Sequence, residues 1–148
     1  MAASDFFSSA RHVQLFPPTS VVKAAGFNAA AGEIDTLGFS WLRIVFVIGT
    51  NGYSANTVAV VQTSPTEGGT FTTVGGTTFT VEGGVSTALT GLVDLGQTDR
   101  WLKVRGTAGG TGTSGVIAVY GELYGPGSTT DYINRTVGGA DELEFVVS

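Results

Sequence analysis

Catalysis and metal binding draw mostly on His, Cys, Asp and Glu, and this chain is poor in all but the last two. Among 148 residues there is no cysteine and a single histidine, His12. A serine or cysteine nucleophile needs an adjacent base to take its proton. His12, beside Arg11 and shortly before Pro17-Pro18, reads instead as a partly exposed strand residue. Thiolate and imidazole metal sites have no ligands to build on, so no metal, no cofactor and no enzymatic activity are expected. The carboxylates form three groups. Glu33 and Asp35 share a face if extended, Asp94 and Asp99 flank a turn at Gly96, and Asp141, Glu142 and Glu144 cluster near the end. Glycoside hydrolysis needs two carboxylates at a set distance across a cleft, and spacing in sequence does not establish one. None of the groups follows the alternating Asp/Asn pattern of a calcium loop. Turn capping and solvated edges are their expected roles.

Two further patterns invite a ligand and are better read as structure. Gly109-Gly110-Thr111-Gly112 lacks the Gly-Lys-Ser/Thr ending and the following helix of a phosphate loop. Trp41, Tyr53, Trp101, Tyr120, Tyr124 and Tyr132 are the aromatic residues available for a sugar platform. Their alternate positions within apolar runs point to core or subunit contacts, and Trp41 is a candidate core tryptophan.

Composition narrows the partners. Net charge is −5, and the seven Lys and Arg are scattered, which argues against a phosphate-tracking surface and hence against nucleic acid. No apolar stretch reaches the roughly 18 residues that span a bilayer, so no membrane is expected. Residues 1–11 lack the basic-then-apolar plan of a secretory leader. With 42% hydrophobic and only 13% charged residues, the chain can fill a core but must expose Thr, Ser, Gly and some apolar groups. Surfaces of that kind often belong to subunits whose faces are covered by partners, the alternative being a Thr-rich monomer.

The elements follow from β-branched and aromatic runs punctuated by glycine. Residues 41–48 form the strongest run, apolar on both faces except at Arg43, as in a central strand covered on each side. Residues 57–63 alternate Val58 and Val60 against Ala59 and Val61. Further strands are expected at 70–74, 77–81, 86–95, 100–105 and 116–123, with 49–56 and 106–115 as loops. Upstream, 12–16 is a short strand stopped by Pro17-Pro18, and 19–25 is a second. This spacing describes an all-β, antiparallel β-sandwich, jelly-roll or immunoglobulin-like, with extended terminal arms. The organisation is an N-terminal arm at 1–18, the sandwich at 19–125, and a C-terminal arm at 126–148. The closing run 143–147 lacks a hairpin partner and either adds to a neighbour's sheet edge or joins the chain's own sheet.

The order of segments resembles that of small structural proteins of tailed bacteriophages, especially capsid decoration (cement) proteins. The residues that carry the resemblance are Gly32-Glu33-Ile34-Asp35-Thr36-Leu37-Gly38-Phe39 and the apolar strand 41–48 with Gly49. They continue through 61–65, 69–74, Asp99-Arg100-Trp101-Leu102-Lys103-Val104-Arg105, and Gly115-Val116-Ile117-Ala118-Val119-Tyr120-Gly121-Glu122-Leu123. The resemblance implies a β-sandwich that assembles, often as a homotrimer, on the outer surface of an icosahedral head. There it bridges the major capsid protein and stabilises the shell, after assembly in the host bacterial cytoplasm. Phe6, Phe7, Trp41, Val45, Val47, Trp101, Tyr132, Leu143, Phe145 and Val147 are the expected oligomer or capsid contacts. The rival readings are a head–tail connector or tail component and a carbohydrate-binding receptor-recognition module.

Overall fold

The apolar run at 41–48 becomes the first part of β4 (Trp41–Tyr53), the middle strand of a five-stranded sheet. Alternation sends Leu42, Ile44, Phe46 and Ile48 inward, each at most 1% exposed, and leaves Trp41, Val45 and Val47 half-buried on the outer side. Trp41 is therefore not a core tryptophan; the parity of the strand gives that place to Leu42. The structure is a computed structural model describing residues 10–21, 26–28, 32–110, 112–125 and 142–147.

The other strands are β1 (Ala10–Val21), β2 (Gly26–Asn28), β3 (Ile34–Asp35), β5 (Thr57–Ser64) and β6 (Thr72–Val81). They continue with β7 (Thr87–Asp94), β8 (Trp101–Thr107), β9 (Gly112–Tyr124) and β10 (Glu142–Val147). The first sheet has the order β1-β9-β4-β7-β10; the second has β2-β8-β5-β6, with β3 also on β8. β1 pairs with β9, β2 and β3 with β8, β4 with β7, and β5 with β6, all antiparallel. Pairings nested in this way, split between two facing sheets, define a jelly roll. The immunoglobulin-like alternative does not have this order. Between the sheets, Phe46 and Phe79 stack with ring centroids 5.5 Å apart, both fully buried.

Several local expectations shift for identifiable reasons. Pro17-Pro18 does not end a strand. β1 runs through the pair, because it lies at the sheet edge and absorbs the irregularity in register shifts at Gln14/Phe16 and Phe16/Thr19. Residues 10–18, assigned above to an N-terminal arm, are thus largely sheet, and Leu15, 1% exposed, fills the core. The expected strands at 70–74 and 77–81 are one strand, β6, with a register shift opposite Val60 and Gln62. The loops at 49–56 and 106–115 shorten, since β4 continues to Tyr53, β8 to Thr107, and β9 starts at Gly112. Of the C-terminal segment, 142–147 lies parallel to β7 of its own chain.

Tyr53 ties together one end of the first sheet. Its buried hydroxyl donates to the carbonyls of Val21 (2.5 Å) and Gly115 (3.3 Å), joining β4 to the ends of β1 and β9. Burial raises its pKa above the ordinary phenol value.

Candidate interaction surface

The outer side of the first sheet carries the most unusual side chains. Across β1, β9 and β4, one register row reads His12, Glu122, Arg43, and the row beside it reads Gln14, Tyr120, Val45. Arg43 is only 5% exposed although it points away from the core. Its Nη1 lies 3.8 Å from Oε1 of Glu122, and His12 Nδ1 lies 3.7 Å from the same oxygen. Tyr124, on the same face, donates its hydroxyl to Oε2 of Glu122 at 2.6 Å. The carboxylate is thereby fixed beneath a depression of 310 Å³ lined by His12, Val13, Val45, Tyr120, Gly121 and Glu122.

Around this cluster the face is apolar. Val45 and Val47 are half-buried, while Tyr120 and Val116 are 41% and 39% exposed. Trp41 belongs to the same face, opposite Tyr124 on β9 and Asp94 on β7.

Trp101 does not. It lies on the outer side of the second sheet, half-buried, with the Arg100 guanidinium 5.4 Å from its ring centre. Lys103 and Arg105 follow at alternate positions of β8, and Lys103 Nζ sits 4.2 Å from the centre of the Phe71 ring. Exposed Thr73, Thr78 and Thr80 of β6 complete this second face. The expected contact residues are therefore divided between opposite sides of the sandwich. Phe6, Phe7 and Tyr132 lie outside the described residues, and Leu143, Phe145 and Val147 are placed only as positions on β10.

Three of the remaining carboxylates accept from backbone N–H groups at turns. Asp94 accepts from Gly96 N–H at 2.9 Å, and Glu33 accepts from Gly68 N–H at 2.9 Å. Asp35 meets Arg100 in a two-point contact, Nε to Oδ1 at 2.8 Å and Nη2 to Oδ2 at 2.7 Å, and also accepts from Leu37 N–H. The Arg100 hydrogen bonds, then that of Leu37, lower the Asp35 pKa to about 2. A carboxylate with a depressed pKa contributes stability above its ordinary value, and loses it as pH falls toward 2. A carboxyl titration followed by NMR should place the Asp35 midpoint near 2. Arg100→Leu should return it toward about 3.9. Among the described residues no three His, Asp or Glu side chains converge as a metal site.

No protein-family model and no curated protein matches the chain. Several solved structures are similar to it, among them the following two. VP2 of infectious bursal disease virus, from a subviral particle, aligns over 83% of this chain with 11% identity and a TM-score of 0.50. This chain spans only 34% of that one. A chain from Bacillus endospore appendages, which form a family of disulfide-linked pili, aligns over 78% of this chain and 88% of its own length. Its identity is 14% and its TM-score 0.46. The likeness to VP2 is one of fold.

The sequence reading singled out Arg43 as the interruption in an apolar strand but missed its partners. Glu122 and Tyr124 are visible as outward positions of β9 only once the β4–β9 register is known. His12 joins them through the β1–β9 register, and nothing local to residue 12 signals it.

Proposed function

We propose that this chain is a non-enzymatic structural subunit that works by covering and bridging other polypeptides. In its specific form, it is a decoration (cement) protein on the outer surface of a tailed-bacteriophage head. It associates with itself, as a trimer, and with the major capsid protein. The observation that carries the reading is the apolar outer side of β4 and β9, where Trp41, Val45, Val47 and Tyr120 leave a low-charge surface in partial contact with solvent. Apolar surface of this kind, set in a polar rim, is characteristic of protein contacts. A jelly roll is also a fold of viral coat proteins, and the likeness to VP2 agrees with it. Weak contacts repeated at symmetry-related positions add up to firm attachment without any cofactor.

Light scattering tests the self-association. The purified chain should give three times its 15.1 kDa mass at micromolar concentration. Val47→Glu should yield a folded monomer, because the side chain points away from the core and a charge there opposes burial in a contact. A wild-type monomer, or a Val47→Glu chain that remains oligomeric, contradicts this use of the face.

A further inference from the structure

We infer that the depression between β1, β9 and β4 is a socket for an arginine side chain presented by the partner polypeptide. The inference rests on the assembly reading and specifies the chemistry at the centre of the contact.

The first argument is the spare acceptor. Tyr124 occupies Oε2 of Glu122, whereas Oε1 has Arg43 Nη1 at 3.8 Å and His12 Nδ1 at 3.7 Å, both beyond hydrogen-bond distance. An ionised carboxylate has about four lone-pair sites, so Oε1 retains capacity toward the depression that Glu122 lines. Because Tyr124 holds the other oxygen, this acceptor is oriented before any partner arrives, which lowers the cost of binding.

The second argument is the wall. The Tyr120 ring, 41% exposed, and the Val45 side chain line the same depression. A planar guanidinium stacks on an aromatic ring while directing its N–H groups at a carboxylate, and a compact ammonium matches that pairing less well. Tyr and Arg are also over-represented among residues that dominate interface energetics, near the centre and ringed by apolar contacts. Val45, Val47 and Trp41 supply such surroundings here.

Charge sets the sign of the partner. The chain as a whole is acidic, net −5, so its field favours approach of a basic surface. Locally, Arg43 offsets Glu122, so selectivity in the socket comes from hydrogen bonding and stacking more than from net charge.

The test is a titration of the full-length Val47→Glu chain, whose monomeric state leaves this face open, with the peptide Ac-Gly-Arg-Gly-NH2, followed by saturation-transfer NMR. Matching peptides carry lysine or the neutral isostere citrulline, and methyl β-galactopyranoside serves as a saccharide probe. The arginine peptide should bind saturably, with citrulline about tenfold weaker, since hydrogen bonds to charged groups are the strong ones. Tyr120→Ala and Glu122→Gln should each weaken it by about tenfold, reflecting the stacking and the charged acceptor. Tyr120→Ala is the safer variant for folding, because its ring is already partly in solvent. Val85→Ala, an exposed turn position, should change nothing. Equal binding of lysine or citrulline, preference for the galactoside, absence of saturable binding, or indifference to Tyr120→Ala overturns the socket. If the peptides fail while light scattering still reports a trimer, only the socket is lost; a monomer removes the assembly reading itself.

Discussion

Phe46→Ala should destabilise the domain by about 3–5 kcal/mol, the usual cost of truncating a buried phenylalanine where the site cannot collapse. Phe46 is fully buried on β4 and stacks on Phe79 of β6, so it spans the space between the two sheets. Its neighbours along β4, Ile44 and Ile48, are held by ladders on both sides, to β7 and to β9, and cannot move in to fill the gap. Since domains of this size are stable by only about 5–15 kcal/mol, the variant should unfold at much lower urea concentration with an unchanged slope. A loss below about 1 kcal/mol would mean that the two sheets are not packed through this pair.

Gly109→Ala should be comparably damaging for a different reason. A methyl group there would lie 2.0 Å from the Ala55 carbonyl oxygen and 2.5 Å from that of Asn56. Those atoms are backbone, so relief requires moving the turn between β4 and β5 or the one between β8 and β9. Gly109 N–H also donates to Thr57 Oγ1 at 3.2 Å, a bond that would be lost with the shift. A cost of about 3 kcal/mol, at the upper end of overpacking penalties, is expected in thermal or urea unfolding. Gly75→Ala is the control. Nothing lies within 4 Å of its added methyl, and its φ is not in the left-handed region. That change should be neutral or stabilise by up to about 1 kcal/mol through the unfolded chain. Equal effects at the two positions would contradict the close approach at Gly109.

Much of the architecture was legible because period-2 alternation and glycine punctuation are local signals. The faces of β5 and β8 follow from parity, with Ala59 and Leu102 inward and Val58 and Trp101 toward solvent, whereas β4 is apolar on both faces and its sequence alone left Trp41 a core candidate. What local pattern cannot carry is the assignment of strands to sheets. Pro17-Pro18 reads as a break in any isolated segment, and only the position of β1 at an edge makes a bulged strand possible. The parallel placement of β10 on β7 is likewise a long-range pairing, with no turn to announce it. The same limit governs the interaction surface. Trp41, Val45 and Val47 lie on one strand and can be grouped from sequence, whereas Trp101 is on the opposite sheet and is separated from them by the whole core. The His12–Glu122–Arg43 row draws one residue from each of three strands, so it emerges only with the register. Gly109 offers a related lesson. Its type suggests a flexible turn, but its requirement is the space of a hydrogen in place of a methyl.

Electron cryomicroscopy of heads from the parent particle, with and without added protein, measures the central proposal directly. Density for this jelly roll should appear on the outer surface at symmetry-equivalent positions, with Trp41, Val45 and Val47 turned into contacts with a second copy or with the shell. Heads that bind none of it, or copies that stand off the surface with that face open to water, would contradict the account.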